Sequence, residues 1–330
     1  MNNPESRFSL PHIAAALLLM AAMGLAPLLL SRFSVYLISG ILVTGLLATS
    51  LNLVLGFGGM YQFHHAIFYG TGAYCTALLL TRTALPAWVA FVSAPIAAAL
   101  MGLVIGAVCC RLSKLYFGML QISLGSLVWA IVYRWYGLTG GDDGIHGISL
   151  PAFLSGGKAA YDAVLVVVAL CLFLLYRIVQ SPFGRIFQAI RDNPVRCEAV
   201  GIPVYRHQLV AQVLAAGFAG IAGALFVVLE GSVFPDMLFW TLSLEILIMC
   251  LLGGWFRFWG PMVGAAIVVS LRTYVGAYTE YWTLILGVFL MFIIFFLPDG
   301  VLGLIDRLAH RRTVAKAQPS ATYGQNTGSL

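Results

Sequence analysis

Asn52, Gln62, His64 and His65 stand close together in an otherwise apolar stretch, LNLVLGFGGMYQFHHAIF. Amides and imidazoles among apolar neighbours can hydrogen-bond between helices, line a polar path, move a proton or bind a metal. A metal site is disfavoured. Adjacent histidines point to different sides of a helix, and no carboxylate or thiolate stands at ligand spacing. A second group, Gln121, Ser123 and Ser126, lies in YFGMLQISLGS, where Gly118 and Gly125 recur at helical spacing. Close helix packing and a polar lining both fit that pattern. The third candidate is Glu245 in LSLEILIMCLLGG. A carboxylate in so apolar a run is costly, so it is either functional or paired with a basic neighbour.

A different chemistry is written in Ser181–Gly201, SPFGRIFQAIRDNPVRCEAVG. This segment gathers Arg185, Arg191, Asp192, Asn193, Arg196 and Glu198, with a helical rhythm broken at Pro194. A simple connector between helices needs only a few residues, so its length and charge point to docking. The segment LTGGDDGIHGI, Leu138–Ile148, carries glycines suited to special turns and two aspartates that could scaffold a turn or a binding surface. No GxSxG elbow or HExxH motif occurs, so no catalytic residue is assigned. Gly56, Gly58 and Gly59 form a GxGG run without a phosphate-loop lysine, which reads as helix packing or a helix break.

The elements that must carry these residues are membrane helices. Of the 330 residues, 61% are hydrophobic and 9% charged, where a soluble domain carries about 25% charged residues. The formal charge of +6 reflects loops on one side of a bilayer rather than nucleic-acid binding. The six cysteines lack zinc or redox spacing and read as small apolar residues. Apolar runs at 12–30, 35–55, 62–81, 86–110, 116–136, 161–179, 208–230, 241–255, 260–279 and 281–297 predict about ten spans. The first is too long for a signal-peptide core and has no clean cleavage site. The glycine-rich run at 62–81 and the short run at 241–255 could be broken or re-entrant.

With both termini inside, four of the 18 Lys and Arg residues fall outside (Arg32, Arg82, Arg134, Lys158) and Arg272 lies within a span. The rest fall inside, which strongly favours this orientation. It places 181–207 in the cytoplasm and 137–160 on the outer face. The expected architecture is an all-α polytopic membrane protein with a single transmembrane domain over 1–312 and a disordered cytoplasmic tail over 313–330. Ten spans could form two inverted five-span halves; a faint internal echo, Gly58-Gly59…Phe63 and Gly253-Gly254…Phe258, does not fall at equivalent spans of such halves.

The motifs 51–74, 116–126, 138–148, 181–202, 216–226 and 243–266, with LPDGVLGL at 297–304, resemble in order and spacing the permease subunits of branched-chain amino acid ABC transporters, the LivM-like branch. The likeness covers about residues 35–306. It implies a permease domain that binds no cofactor itself, with ATP bound and hydrolysed by two cytoplasmic ATP-binding-cassette subunits. It further implies a second, similar permease and an external solute-binding protein, in a bacterial inner membrane. The residues Arg191, Asp192, Asn193, Glu198, Ala199 and Gly201 resemble the segment that docks on the ATPase and couples it to transport. Asn52, Gln62, His64, His65, Gln121, Ser123, Ser126 and Glu245 become candidates for the translocation path. The chain departs from the family pattern at His64, usually Gly, at Gln121-Ile122-Ser123, commonly Thr-Leu-Ala, and at Ser126, often acidic or amide. These departures leave the cargo open between branched-chain amino acids and the urea, amides or other amino acids that related permeases move. An ion-coupled carrier using Glu245 and the two histidines is the rival reading.

Overall fold

The computed structural model describes residues 23–303 apart from 25, 84, 113, 152–153, 155, 282, 289–290 and 292–299. The described residues are overwhelmingly helical. Ten helices carry the argument: α1 Arg32–Asn52, α2 Ala66–Arg82, α3 Ala87–Cys109, α4 Lys114–Arg134, α5 Gly157–Gln180, α6 Pro182–Asp192, α7 Pro194–Ala199, α8 Val204–Glu230, α9 Trp240–Gly253 and α10 Gly260–Gly276. Among the described residues, five stretches are long and apolar enough to cross a membrane: Arg32–Phe57, Ala87–Cys109, Leu115–Arg134, Gly157–Gln180 and Val204–Glu230. The helices α2, α9 and α10 are shorter, at 17, 14 and 17 residues. At 1.5 Å per residue they reach about 21–26 Å, below the roughly 30 Å of hydrocarbon that a straight span must cross. Most of the predicted first run, part of the last and the predicted tail at 313–330 lie outside the described residues.

The centre of the bundle is α8, packed against α2, α3 and α1. Its Gln212–Gly223 stretch is rich in alanine and glycine, and those small residues let the backbones meet. Gly223 lies against the carbonyl of Tyr69, Gly220 against the carbonyl of Ala94 and against Gly72, and Ala216 against Gly102. Lipid gives no hydrophobic drive for helices to associate, so this close van der Waals contact is what holds α2, α3 and α8 together. A second group, α1, α9 and α10, packs the same way through Gly264 on the Met249 carbonyl and Gly253 on the Gly260 carbonyl.

The helix α4 is peripheral. It touches α2, α3 and α9 lightly, and Leu115, Met119, Leu127 and Ile131 stay exposed along one face. Such an apolar face is at home in lipid or against another membrane protein. Among the described residues the cysteines are unpaired, with all but Cys75 buried.

Candidate functional site

The pair α6 and α7 stands at one end of the bundle, and each helix starts with its own cap. Ser181 Oγ accepts from the Gly184 amide at 3.3 Å ahead of Pro182, and Asn193 Oδ1 accepts from the Arg196 amide at 3.0 Å ahead of Pro194. Proline in the first turn loses no helical hydrogen bond there and pre-sets the backbone angle. Pro194 therefore divides one charged segment into two short rigid helices. Gly201, at φ +86°, turns the chain from α7 toward α8. Phe187, Ile190 and Cys197 face inward. The outer surface consists of Val195 and Val200, 73% and 76% exposed, together with Arg196, Glu198, Ala199 and Gly201. Ile190 packs inward, whereas Val200 stands outside.

Arg191 also turns inward. Its Nη1 donates to the Gly56 carbonyl at 3.0 Å, its guanidinium lies 5.2 Å from the centre of the Phe256 ring, and its other nitrogens bond Asp192 at 3.0 and 3.1 Å. The carbonyl it holds belongs to a break in the bundle. After Asn52 the helix widens into a π-helical turn, Leu53–Phe57, then runs without regular structure until His65. Irregular backbone at membrane depth is stable only when protein or a cavity covers it. Here Phe187 of α6 presses its ring against Gly58, where a Cβ would collide, and the Trp255 carbonyl approaches Gly56 just as closely. The break thus lies directly against α6 and the loop after α9.

The polar residues beyond the break are buried. Asn52, Gln62, His64, His65 and Gln121 are fully enclosed. His65 Nε2 and Ser50 Oγ are 2.8 Å apart, Asn52 Nδ2 donates to the Arg257 carbonyl at 3.2 Å, and the Ala66 amide donates to Ser243 Oγ at 2.9 Å. These bonds fix the start of α2. Phe63 packs on Gly118 and His64 on Gly125, so residues 61–64 run along the α4 face that also carries Gln121. Ser123 lies apart, exposed and bonded to the Met119 carbonyl of its own helix, and Ser126 is half-buried. The structure therefore brings Gln121 to the histidine segment and separates Ser123 from it. Among the described residues, no three His, Cys, Asp or Glu side chains are grouped to hold a metal.

Glu245 has a basic neighbour, one of the two alternatives its sequence left open. Arg272 Nη1 of α10 lies 3.6 Å from Glu245 Oε1, joining α9 to α10. Elsewhere, Tyr36 of α1 donates to Glu230 of α8. The spacing of Glu245 and Arg272, on helices separated by a turn, was the available signal.

The end opposite α6 and α7 carries Leu138–Ile148. Gly140, Gly141, Gly144 and Gly147 all have positive φ, which side-chain-bearing residues rarely adopt. The segment then bridges to the α8–α9 connection, with Ile145 and Val233 exchanging hydrogen bonds at 2.9 and 2.8 Å and Ile148 bonding the Gly231 carbonyl at 3.0 Å. Asp142 accepts from the Tyr136 hydroxyl and raises its pKa.

A family model described as "Branched-chain amino acid transport system / permease component" matches residues 33–295, most of the chain and nearly all the helices above. The chain belongs to this family. It is 28% identical to the high-affinity branched-chain amino acid transport system permease protein LivM of Salmonella typhimurium and to that of Escherichia coli. Each alignment covers 90% of this chain and 78% of the relative. The probable branched-chain amino acid transport permease protein LivM of Methanocaldococcus jannaschii is 24% identical over 81% of this chain and 82% of its own. No solved structure matches. Membership makes the chain a multi-pass membrane permease, a transport subunit rather than an enzyme, in a system with other subunits.

Proposed function

We propose that the chain is the permease subunit of an ATP-driven importer in a bacterial inner membrane, moving branched-chain or related amino acids by alternating access. Two cytoplasmic ATP-binding-cassette subunits hydrolyse ATP, a second homologous permease completes the path, and an external binding protein delivers the solute to the surface that includes Leu138–Ile148. Both termini face the cytoplasm, and ten spans form the bundle, α9 and α10 among them. The positive-inside distribution supports that orientation.

One observation carries this reading. The capped pair α6–α7 presents an exposed apolar and charged surface on one side, while Arg191 and Phe187 on the other side grip the break at Gly56–Gly58. A rigid body attached at a helix break can move the attached spans when a partner pushes it. The ion-coupled alternative draws less support. Arg272 beside Glu245 gives that carboxylate a counter-charge, which suits a fixed clamp between α9 and α10 better than a proton carrier.

Affinity purification of the chain from its native membrane tests the reading. Recovery of two ATPase subunits and a second permease is the expected result. Recovery of the chain alone, with uptake intact in ATP-free vesicles, would overturn it in favour of the ion-coupled carrier.

A further inference from the structure

A cavity of about 780 Å³ opens at the α6–α7 end of the bundle, within the size range of ligand sites. Three helices fix its level in the membrane. The apolar stretch Ala87–Cys109 ends there, and the stretches Leu115–Arg134 and Val204–Glu230 begin there, with Cys110, Leu115 and Val204 all lining the cavity. Spans leave the hydrocarbon at the level of the lipid headgroups. One wall of the cavity also continues onto the exposed apolar face of α4. Leu115 lines the cavity yet is exposed, and Met119, one turn further on the same face, is exposed as well.

The rim carries charge of both signs. The Arg111 guanidinium lies 5.7 Å from the centre of the Tyr205 ring of α8, and the Tyr205 hydroxyl donates to the Ala107 carbonyl at 3.1 Å, so that wall is held in place. Glu198 of α7 also stands on the cavity. Both charged residues are exposed, and they form no ion pair with each other. Arg191, the third charged residue of the lining, is already paired with Asp192 and bonded to the Gly56 carbonyl. One cation and one anion therefore remain, above an interior that includes buried Met60, Phe117 and Ile190.

A purely basic pocket at this level would select an anionic headgroup. A balanced rim beside an apolar wall selects a zwitterion joined to apolar chains. We propose that this cavity binds the headgroup of phosphatidylethanolamine, in the leaflet at the α6–α7 end, with the phosphate on Arg111, the ammonium on Glu198 and an acyl chain along Leu115 and Met119. Ethanolamine rather than choline follows from Glu198. A primary ammonium brings three N–H donors to a carboxylate, and a trimethylated one brings none. Bound there, the lipid joins α4, which packs only lightly on the rest of the bundle, to α7. The site requires that the chain lie in a membrane, and it is independent of the solute carried and of the source of energy.

The test is native mass spectrometry of the full-length chain, purified in detergent with its co-purifying subunits. It is titrated with phosphatidylethanolamine, phosphatidylcholine or phosphatidylglycerol of identical acyl chains. One phosphatidylethanolamine per chain should be retained, about fivefold more tightly than phosphatidylcholine, the scale of one exposed ion pair. This comparison needs no variant. Glu198→Gln should abolish the preference over phosphatidylcholine, whereas Arg111→Gln should weaken both lipids about fivefold, because both carry the phosphate. The rise in unfolding midpoint that phosphatidylethanolamine gives the wild type should shrink in each variant. Equal or tighter retention of either other lipid by the wild type would overturn the site, as would a preference and affinity unchanged in both variants. Displacement of the lipid by free O-phosphoethanolamine at equal concentration would also overturn it, since the cavity would then take a soluble zwitterion rather than a lipid.

Discussion

Replacing Arg191 with alanine should separate α6 and α7 from the break that they hold. The magnitude follows from three contacts. The hydrogen bond from a charged donor to the Gly56 carbonyl is worth about 1.5–3 kcal/mol. The Phe256 contact adds about 0.5–1 kcal/mol at a partly exposed site. The Asp192 pair adds little, because Asp192 is 69% exposed and water screens it. With the Arg191 side chain itself 26% exposed, a net loss of about 2–3 kcal/mol is expected. The helices should stay folded, since Phe187 and Ile190 remain buried beneath them.

The expected phenotype is therefore loose coupling rather than loss of assembly. Purified complexes of Arg191→Ala should unfold at a lower temperature and import less solute per ATP hydrolysed. Arg191→Lys should rescue only in part, because an ammonium lacks the planar fork that serves the carbonyl and the ring together. A double-mutant cycle with Phe256→Ala should give a coupling energy of about 0.5–1 kcal/mol. Wild-type midpoint and wild-type uptake per ATP in Arg191→Ala would falsify the strut.

Three further outcomes are expected. Gly223→Val would drive a side chain into the Tyr69 carbonyl and should abolish folded protein on size-exclusion chromatography, whereas Gly217→Ala, whose Cβ would meet nothing closer than 3.7 Å, should elute like the wild type. Asn193→Ala removes the α7 cap, worth about 1 kcal/mol; protease nicking near Val195 should rise while membrane insertion stays intact. Glu245→Gln removes the carboxylate that faces Arg272 and should lower the unfolding midpoint, and Glu245→Gln combined with Arg272→Gln should differ from the sum of the two single changes; strict additivity would mean that the two side chains do not act as a pair.

The helices were legible because apolar run length is a direct physical signal. The runs at 86–110, 116–136, 161–179 and 208–230 reappear as α3, α4, α5 and α8 with ends shifted by a few residues. The division of the charged segment into two short helices was legible through Pro194. Side-chain direction was not. Arg191 and Glu198 look alike in sequence, yet one reaches inward to Gly56 and the other is exposed. That difference depends on where α6 lies against the break, a tertiary fact. The same holds for Glu245, which looked unpartnered because Arg272 lies on another helix. Gln212 escaped notice because its neighbours, Ala211, Ala215 and Ala216, announce a packing face, and its side chain lies against Gly106 of α3. The π-helical turn at Leu53–Phe57 has no local sequence signal beyond the glycines that follow it.

That turn explains why the parts lie where they do. An intact helix through Gly56 would carry α1 straight on and leave no irregular segment to face α4. A wider turn followed by Gly58 and Gly59 lets the chain reverse while still inside the bundle, so that Gln62 and His64 come back toward α2 buried rather than in water. The reversal exposes carbonyls that need donors, and Arg191 from α6 supplies one. It also leaves a gap that a bulky residue must fill, and Phe187 from the same helix fills it. The two residues that stabilise the break thus come from the helix that leads directly into the exposed surface of α7. Any force that shifts α6 must pull on the Gly56 carbonyl and on the Gly58 packing together, and the buried polar residues Gln62 and His64 come next along the chain. A mechanical link between docking surface and polar site is then a consequence of how the break is stabilised.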